Sequence, residues 1–162
     1  MTAPVQFRQL SANDQSLLTS LMYEALFIPD HEKAPPREIV GEPDLAKYHA
    51  DWGRAGDVGL VAEVDGKAVG AIWCRQFTRD QNSYGFVYPN IPEMVIALFS
   101  NFRNQGIGTA LIKHLVNDLK QQGLGGLSLS VQKANEAVNL YKRLGFKVMA
   151  EKGTAFTMLR QW

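Results

Sequence analysis

The sequence predicts a mixed α/β (α+β) domain of three layers, with helices on both faces of a mostly antiparallel sheet of about seven strands. The first observation is the element order: strand, two helices, three strands, helix, strand, helix, two strands. The second is a strand–helix–strand unit over residues 92–131, which is expected to be a parallel, right-handed crossover. Most other neighbouring strands are expected to be antiparallel.

Length and composition indicate a single domain over residues 1–162, with 46% apolar and 20% charged residues. The formal net charge of +1 gives no reason to expect a nucleic-acid partner, and the chain has no apolar run of membrane-spanning length. The first residues lack the pattern of a signal peptide, and the single Cys74 cannot form an internal disulfide. These features predict a cytoplasmic protein with no membrane partner.

The N-terminal part is predicted to contain one strand and two helices. Residues 5–10 alternate in polarity as a strand does. Ser11 followed by Asp14 has the form of a capping box, and the apolar spacing beyond it predicts a helix to about residue 27. After a proline-rich irregular segment, residues 43–52 are predicted as a second short helix, with a proline in its first turn.

A hairpin and a long loop follow in the middle of the chain. Residues 57–64 and 68–77 are predicted strands, and the Asp65-Gly66 pair between them is a strong hairpin signal. The polar and aromatic segment 78–91 is predicted as a loop. Loops of this length in a compact domain are often functional.

The C-terminal half alternates strands and helices before a final strand pair. Its apolar runs and amphipathic segments predict these elements in order: strand 92–99, helix 106–122, strand 127–131, helix 135–144, and strands 146–150 and 155–159.

A glycine-bearing turn joins the fourth strand to the main helix. Its N–H groups at the helix N-terminus are a ready site for a phosphate-bearing ligand. Gly106 and Gly108 remove the Cβ atoms that would hold such a ligand away, and Arg103 adds a positive charge. No Walker A loop is present, and Leu111 stands where a dinucleotide fingerprint needs glycine. Taken alone, the turn is equally compatible with an ordinary strand–helix connection.

Two motifs resemble those of the GNAT superfamily of N-acetyltransferases, whose members bind acetyl-coenzyme A. Arg-x-x-Gly-x-Gly at the start of the long helix resembles the family's pyrophosphate-binding motif. Residues 135–146 resemble its C-terminal motif, with an Asn, an aliphatic helix, a Tyr and a final Leu-Gly-Phe. The element order is also that of the family over nearly the whole chain.

The resemblance implies acetyl-CoA as co-substrate, without a metal, and a fourth strand that splays from the fifth to admit the pantetheine arm. Backbone groups of that strand would pair with the arm, and one N–H near Leu98 would polarise the thioester carbonyl. The implied coenzyme-binding residues are Ala97, Leu98, Phe99, Arg103, Asn104, Gln105, Gly106, Ile107, Gly108, Thr109 and Asn135.

The resemblance also implies a general acid and suggests a general base. Tyr141 matches the family's usual acid, and a tyrosine hydroxyl of pKa about 10 can protonate a thiolate of pKa about 8.5. Glu93, at the start of the fourth strand, is the proposed base for the protonated amine. The structural alternatives are a helix-capping Asn135, a core Tyr141 and a solvated Glu93 at a strand edge.

The acceptor is expected to be a primary amine on a small molecule or a peptide. Residues 27–52 and 78–91, which flank the acceptor side in the family, are rich in aromatic and acidic residues that suit a cationic amine. A non-catalytic acyl-CoA-binding module is the alternative function. The C-terminal strand is also expected to be an exposed edge, through which two copies would form a homodimer.

Overall fold

The predicted strands form one mixed sheet in the computed structural model, which describes residues 3–162. The strands are β1 (Val5–Gln9), β2 (Val58–Val64), β3 (Lys67–Arg75), β4 (Glu93–Leu98), β5 (Gly126–Gln132), β6 (Lys147–Lys152) and β7 (Ala155–Gln161). Their order in the sheet is β1-β2-β3-β4-β5-β7-β6, and only the β4–β5 pair is parallel. The predicted fold class and the parallel crossover are therefore confirmed.

Four α-helices cover the sheet: α1 (Gln15–Glu24), α2 (Pro43–Ala46), α3 (Ile107–Gln121) and α4 (Ala137–Arg143). Side chains of β3 alternate between the two faces. Ile72 and Cys74 pack with residues of α3 and α4, whereas Ala71 and Trp73 pack with residues of α1. Helices on both faces give the three predicted layers.

Local signals in the N-terminal half are confirmed by the hydrogen bonds they predicted. Ser11 Oγ accepts from the Asn13 N–H at 3.3 Å, and Asp14 Oδ2 accepts from the Ser11 N–H at 2.9 Å, which completes the capping box. The β2–β3 turn holds Asp65 at φ +52° and Gly66 at φ +76°, in the left-handed region that this short hairpin needs.

The predicted helix over residues 43–52 is wrong in length, because α2 ends at Ala46. Side chains from elsewhere bind the carbonyls that a longer helix would use. Arg75 donates to the Lys47 carbonyl at 2.9 Å and Trp73 Nε1 to the Tyr48 carbonyl at 3.0 Å. Gln15 donates to the His49 carbonyl at 2.9 Å. These tertiary hydrogen bonds override the local helical pattern.

The prediction of an exposed C-terminal edge strand is also wrong. β7 lies between β5 and β6 and pairs with both, so the edges of the sheet are β1 and β6. The proposed route to a homodimer through β7 is therefore closed by its neighbours. Among residues 3–162, no helix combines the length and the apolar character needed to cross a membrane.

Candidate functional site

A cleft opens between β4 and β5, as the family resemblance implied. The two strands share a single residue pair, Glu93 with Ser128, beside the hydrogen bond from the Ser128 N–H to the Pro92 carbonyl at 3.0 Å. β4 is paired with β3 along its whole length, from Glu93 to Leu98. The edge of β4 beyond Glu93 is therefore without a paired strand in the described part of the chain.

Backbone alternation decides which groups of β4 face this cleft. The Phe99 N–H donates to the Val69 carbonyl at 2.9 Å, so it faces β3. Because strand N–H groups alternate in direction, those of Leu98 and Ile96 face the cleft, and that of Ala97 faces β3. Of the predicted trio 97–99, Leu98 is the residue whose N–H is directed at the cleft.

A cavity of about 1000 Å³, the glycine-turn cavity, lies at one end of the cleft. It is bounded by the turn before α3, by the end of α1 and by α4. The predicted coenzyme residues that line it are Ala97, Leu98, Arg103, Asn104, Gly106, Gly108, Thr109 and Asn135. The predicted residues Phe99, Gln105 and Ile107 do not line it.

The turn before α3 presents an uncapped helix N-terminus to this cavity. Gly106 precedes the helix at φ +81°, and no described side chain caps the N–H groups that follow it. A Cβ at Gly106 would meet no atom within 4 Å, so the space before these groups is open. Glycine is needed at position 106 for its backbone angle, because an L side chain is strained at that φ.

Arg103 connects the turn to α1. Its Nε donates to the Leu98 carbonyl at 3.1 Å, and its Nη2 lies 3.2 Å from Glu24 Oε2 in an ion pair. Gln105 points away from the cavity and donates to the Asn101 carbonyl at 3.0 Å, and the Ile107 side chain is buried in the core. Arg103 and Asn104 of the motif therefore border the cavity. Gln105 and Ile107 instead support the turn.

Tyr141 lies on α4 where the glycine-turn cavity meets a second cavity, and it lines both. The residue is only 8% exposed, and burial raises the pKa of its hydroxyl to about 12, so the hydroxyl keeps its proton at neutral pH. Asn135 lines both cavities as well, and its Oδ1 accepts from the Ala137 N–H at 2.9 Å. Asn135 therefore makes a capping hydrogen bond at the start of α4, which is the structural alternative, and it also lies at the cavity where the resemblance implied a coenzyme contact.

The second cavity, the Glu93 cavity, has a volume of about 700 Å³. Glu93 is 3% exposed, which excludes the alternative of a solvated edge carboxylate. Its Oε2 accepts from the Tyr48 hydroxyl at 2.8 Å and from the Gly85 N–H at 3.0 Å. Burial raises the pKa of Glu93 above its ordinary value. The Ser83 hydroxyl, the hydrogen bonds from Tyr48 and Gly85 and the positive charge of Lys152 oppose that shift only in part.

Three residues have a place in the site that the sequence did not predict for them. Tyr48, placed only among the aromatic residues of the acceptor side, is the direct partner of Glu93. Asn139 and Arg143 line the glycine-turn cavity together with Asn135, one helical stripe at i, i+4 and i+8. That spacing was a usable signal, whereas nothing local connects Tyr48 with Glu93.

In residues 3–162, no group of three or more His, Cys, Asp or Glu side chains is arranged to hold a metal ion. The polar groups around the two cavities are backbone N–H groups, amides, hydroxyls, carboxylates and the guanidinium groups of Arg103 and Arg143.

Comparison with protein families gives a match to the model described as the acetyltransferase (GNAT) family, over residues 22–146. The matched region contains α3, α4 and the cleft between β4 and β5. It therefore includes every predicted site residue.

Two individual N-acetyltransferases match this chain at low sequence identity. The probable N-acetyltransferase san of Drosophila melanogaster is 28% identical over 108 residues, and N-alpha-acetyltransferase 50 of Danio rerio is 29% identical over 108 residues. Each match covers 65% of this chain and 55% and 61% of the respective relative, so the chain spans little more than half their length. The structure of yncA, a putative acetyltransferase from Salmonella typhimurium with its cofactor acetyl-CoA, shares the fold. It has a TM-score of 0.69 and 19% identity, with 98% of this chain and 94% of that chain covered.

Proposed function

The chain belongs to the acetyltransferase (GNAT) family, and from this premise we propose that it transfers an acetyl group from acetyl-CoA to a primary amine. The amine attacks the thioester of acetyl-CoA directly while both are bound to the protein in a ternary complex. Residues 1–162 act as one catalytic domain. The observation that carries the proposal is the cleft beside β4, which separates from β5 after the Glu93–Ser128 pair. A cavity lies at each end of the cleft, and Tyr141 lines both.

The glycine-turn cavity fits the coenzyme. Uncapped N–H groups at the start of α3, behind Gly106, supply the donors that a pyrophosphate needs. Asn104, Gln105, Gly106, Ile107, Gly108 and Thr109 are the proposed backbone contacts, with Arg103 and Asn135 beside them. Arg103 is held in place by Glu24 and by the Leu98 carbonyl.

The free edge of β4 fits the extended arm of the coenzyme. The N–H groups of Ile96 and Leu98 face the cleft without a paired strand, so an extended ligand can add to the sheet there. We assign Leu98 N–H as the donor to the thioester carbonyl oxygen, where negative charge develops during attack. Ala97 and Phe99 support this edge, since their N–H groups face β3.

Glu93 is the proposed base. A primary alkylamine is mostly protonated at neutral pH and must lose a proton before it can attack. Glu93 Oε2 is already occupied by the Tyr48 hydroxyl and the Gly85 N–H, whereas Oε1 is buried with no partner in the described part of the chain. The free Oε1 can accept the proton of the amine, and the raised pKa of Glu93 makes the carboxylate a stronger base.

Tyr141 is the proposed acid. When the amine nitrogen bonds to the acetyl carbon, the carbon–sulfur bond breaks and the sulfur leaves as a thiolate. The Tyr141 hydroxyl, protonated at neutral pH, gives its proton to that sulfur. One proton of the ammonium group passes to Glu93 before the attack, and the second proton that leaves nitrogen restores the Tyr141 hydroxyl. One ammonium ion and one thioester therefore give one amide, one thiol and one proton, which Glu93 releases to solvent.

The alternative function is a non-catalytic acyl-CoA-binding module. The unpartnered Glu93 Oε1 in a cavity beside Tyr141 favours the enzyme, because coenzyme binding alone needs neither group. The test incubates the protein with acetyl-CoA and a panel of primary amines, and measures free thiol together with acetylated amine by mass spectrometry. The proposal predicts equal amounts of thiol and acetylated product. Tight binding of acetyl-CoA without product from any amine would favour the binding module.

A further inference from the structure

Acidic side chains line the Glu93 cavity, and the nearby Lys47 forms an ion pair with one of them, with its Nζ 3.7 Å from Asp44 Oδ1. Three ionisable carboxyl groups line the cavity, from Glu42, Asp44 and Glu93, and no Lys, Arg or His of residues 3–162 is among the lining residues. Lys47 is the cation next to Asp44, and its Nζ donates to the Gln81 carbonyl at 2.9 Å. The ionisable side chains in the lining are therefore acidic, with Glu93 buried and Glu42 and Asp44 exposed at the rim.

The buried end of this cavity needs a hydrogen-bond donor. Glu93 Oε1 is buried and has no partner among the described residues, whereas Oε2 has two. A buried oxygen without a donor is unfavourable unless a ligand supplies one. The buried Ser83 hydroxyl lies beside the same carboxylate but makes no hydrogen bond to Oε1. An amine or ammonium group has N–H donors for this oxygen, and a ligand bound through them has its nitrogen at Glu93.

The walls between the buried end and the rim are apolar and aromatic. They include Met22, Phe27, Leu45, Tyr48 and Tyr84, with the rings of Tyr48 and Tyr84 stacked at 6.3 Å between centroids. Apolar walls can contact an apolar group that is attached to the amine. The face of an aromatic ring can contact the positive charge of an ammonium group. These walls supply no positive charge to stabilise a buried carboxylate of a ligand.

We infer, on the basis of the proposed function, that the acceptor is a primary amine with an apolar body and no carboxylate on the carbon that bears the nitrogen. A carboxylate at that carbon would lie close to Glu93, away from water and without a cation. Free amino acids are thereby rejected by repulsion and desolvation. Alkyl- and arylalkylamines are accepted, as is a peptide N-terminus, whose carboxyl group is in an amide bond.

The test uses three ligands that differ only beside the nitrogen: phenethylamine, phenylalanine amide and phenylalanine. Each is titrated calorimetrically at neutral pH into the protein alone and into the protein loaded with coenzyme A. Phenethylamine and the amide are expected to bind at least about tenfold more tightly than phenylalanine. Tighter binding of the amide than of phenethylamine identifies a peptide N-terminus as the preferred source, and the reverse order identifies a simple amine.

Two variants test whether the preference for amines over phenylalanine arises in the Glu93 cavity. The double substitution Glu42→Gln/Asp44→Asn is expected to weaken phenethylamine binding and to reduce its advantage over phenylalanine. Asp65→Asn, in the exposed β2–β3 turn, is the matched control and is expected to change neither.

Equal binding of phenylalanine and phenethylamine would overturn the inference, as would the absence of binding by all three ligands. Failure of the proposed function gives a different result. Coenzyme A would then not bind, while the preference for amines over the amino acid in the protein alone would still support an acceptor without a carboxylate.

Discussion

The Tyr48 hydroxyl donates a 2.8 Å hydrogen bond to Glu93 Oε2 across 45 residues of sequence. The same hydroxyl oxygen accepts the Tyr84 N–H at 2.7 Å. Tyr48 therefore connects the base, the loop that follows β3 and the aromatic wall of the Glu93 cavity. Tyr48 acts as a positioning residue, because it fixes which oxygen of Glu93 stays free for the acceptor.

Substituting Tyr48→Phe is expected to move the acidic limb of the pH–rate profile to higher pH. The Tyr48 hydrogen bond lowers the pKa of Glu93, so its loss raises that pKa further and delays formation of the carboxylate. The free energy of unfolding is expected to fall by about 1–3 kcal/mol, because the Tyr84 N–H and Glu93 both lose a partner. Steady-state kinetics against pH and thermal unfolding measure the two effects.

Tyr88→Phe is the control for this substitution, since the exposed Tyr88 lines neither cavity. Its pH–rate profile should match that of the unsubstituted protein. A Tyr48→Phe profile that also matches would remove Tyr48 from its positioning role.

The Glu93→Gln variant is expected to lose the acidic limb of the profile and most of its activity, because glutamine cannot accept the amine proton. In contrast to the activity, the free energy of unfolding of this variant should not fall at high pH. Burial raises the folded pKa of Glu93 above the unfolded one, so its contribution to stability is fully present below the unfolded pKa and is lost as the pH rises through the folded pKa. Glu93→Gln should therefore be at least as stable as the parent at high pH, and its advantage should shrink as the pH falls.

Denaturant unfolding at several pH values, together with pH–rate profiles, measures both effects. A variant with a normal profile would show that water or another group takes the proton. A stability advantage that grows on acidification would contradict the stated direction of the Glu93 pKa.

Substituting Tyr141→Phe is expected to lower kcat by about 10²-fold or more while the dissociation constant of acetyl-CoA stays nearly unchanged. The phenyl ring keeps the packing against Phe146, whose ring centroid lies 5.9 Å away, and only the proton donor is lost. Steady-state turnover and calorimetric titration separate the two quantities.

Tyr88→Phe, at an exposed tyrosine that lines neither cavity, is the comparison for Tyr141→Phe. It should retain full turnover. Full turnover in Tyr141→Phe as well would leave Tyr141 as a core residue.

The features that the sequence predicted well are local ones. Apolar runs, alternation and turn signals located all seven strands, and the capping box at Ser11 and the Asp65-Gly66 turn depend on residues within a few positions. The strand that contains Glu93 and the turn at Gly106 are adjacent in sequence, so their relation to one cleft was predictable from the family motif.

The errors and omissions involve contacts between distant segments. α2 stops at Ala46 because side chains from α1 and β3 take the next carbonyls, and β7 is interior because β6 folds back outside it. The partnership of Tyr48 with Glu93 likewise joins segments with no local pattern in common. Ile107 belongs to the apolar face of α3, and the same periodicity that predicted the helix indicates that its side chain is buried rather than at the cavity.

Calorimetric titration with acetyl-CoA tests the central claim most directly, using Gly106→Asp with Gly123→Asp as its matched control. Both glycines have φ +81° and open space around a Cβ, but Gly106 precedes α3 and Gly123 follows it. Acetyl-CoA is expected to bind to the parent and to Gly123→Asp but not to Gly106→Asp, where a carboxylate would face the pyrophosphate. No binding to the parent, or equal binding to both variants, would contradict the coenzyme site beside the β4–β5 cleft.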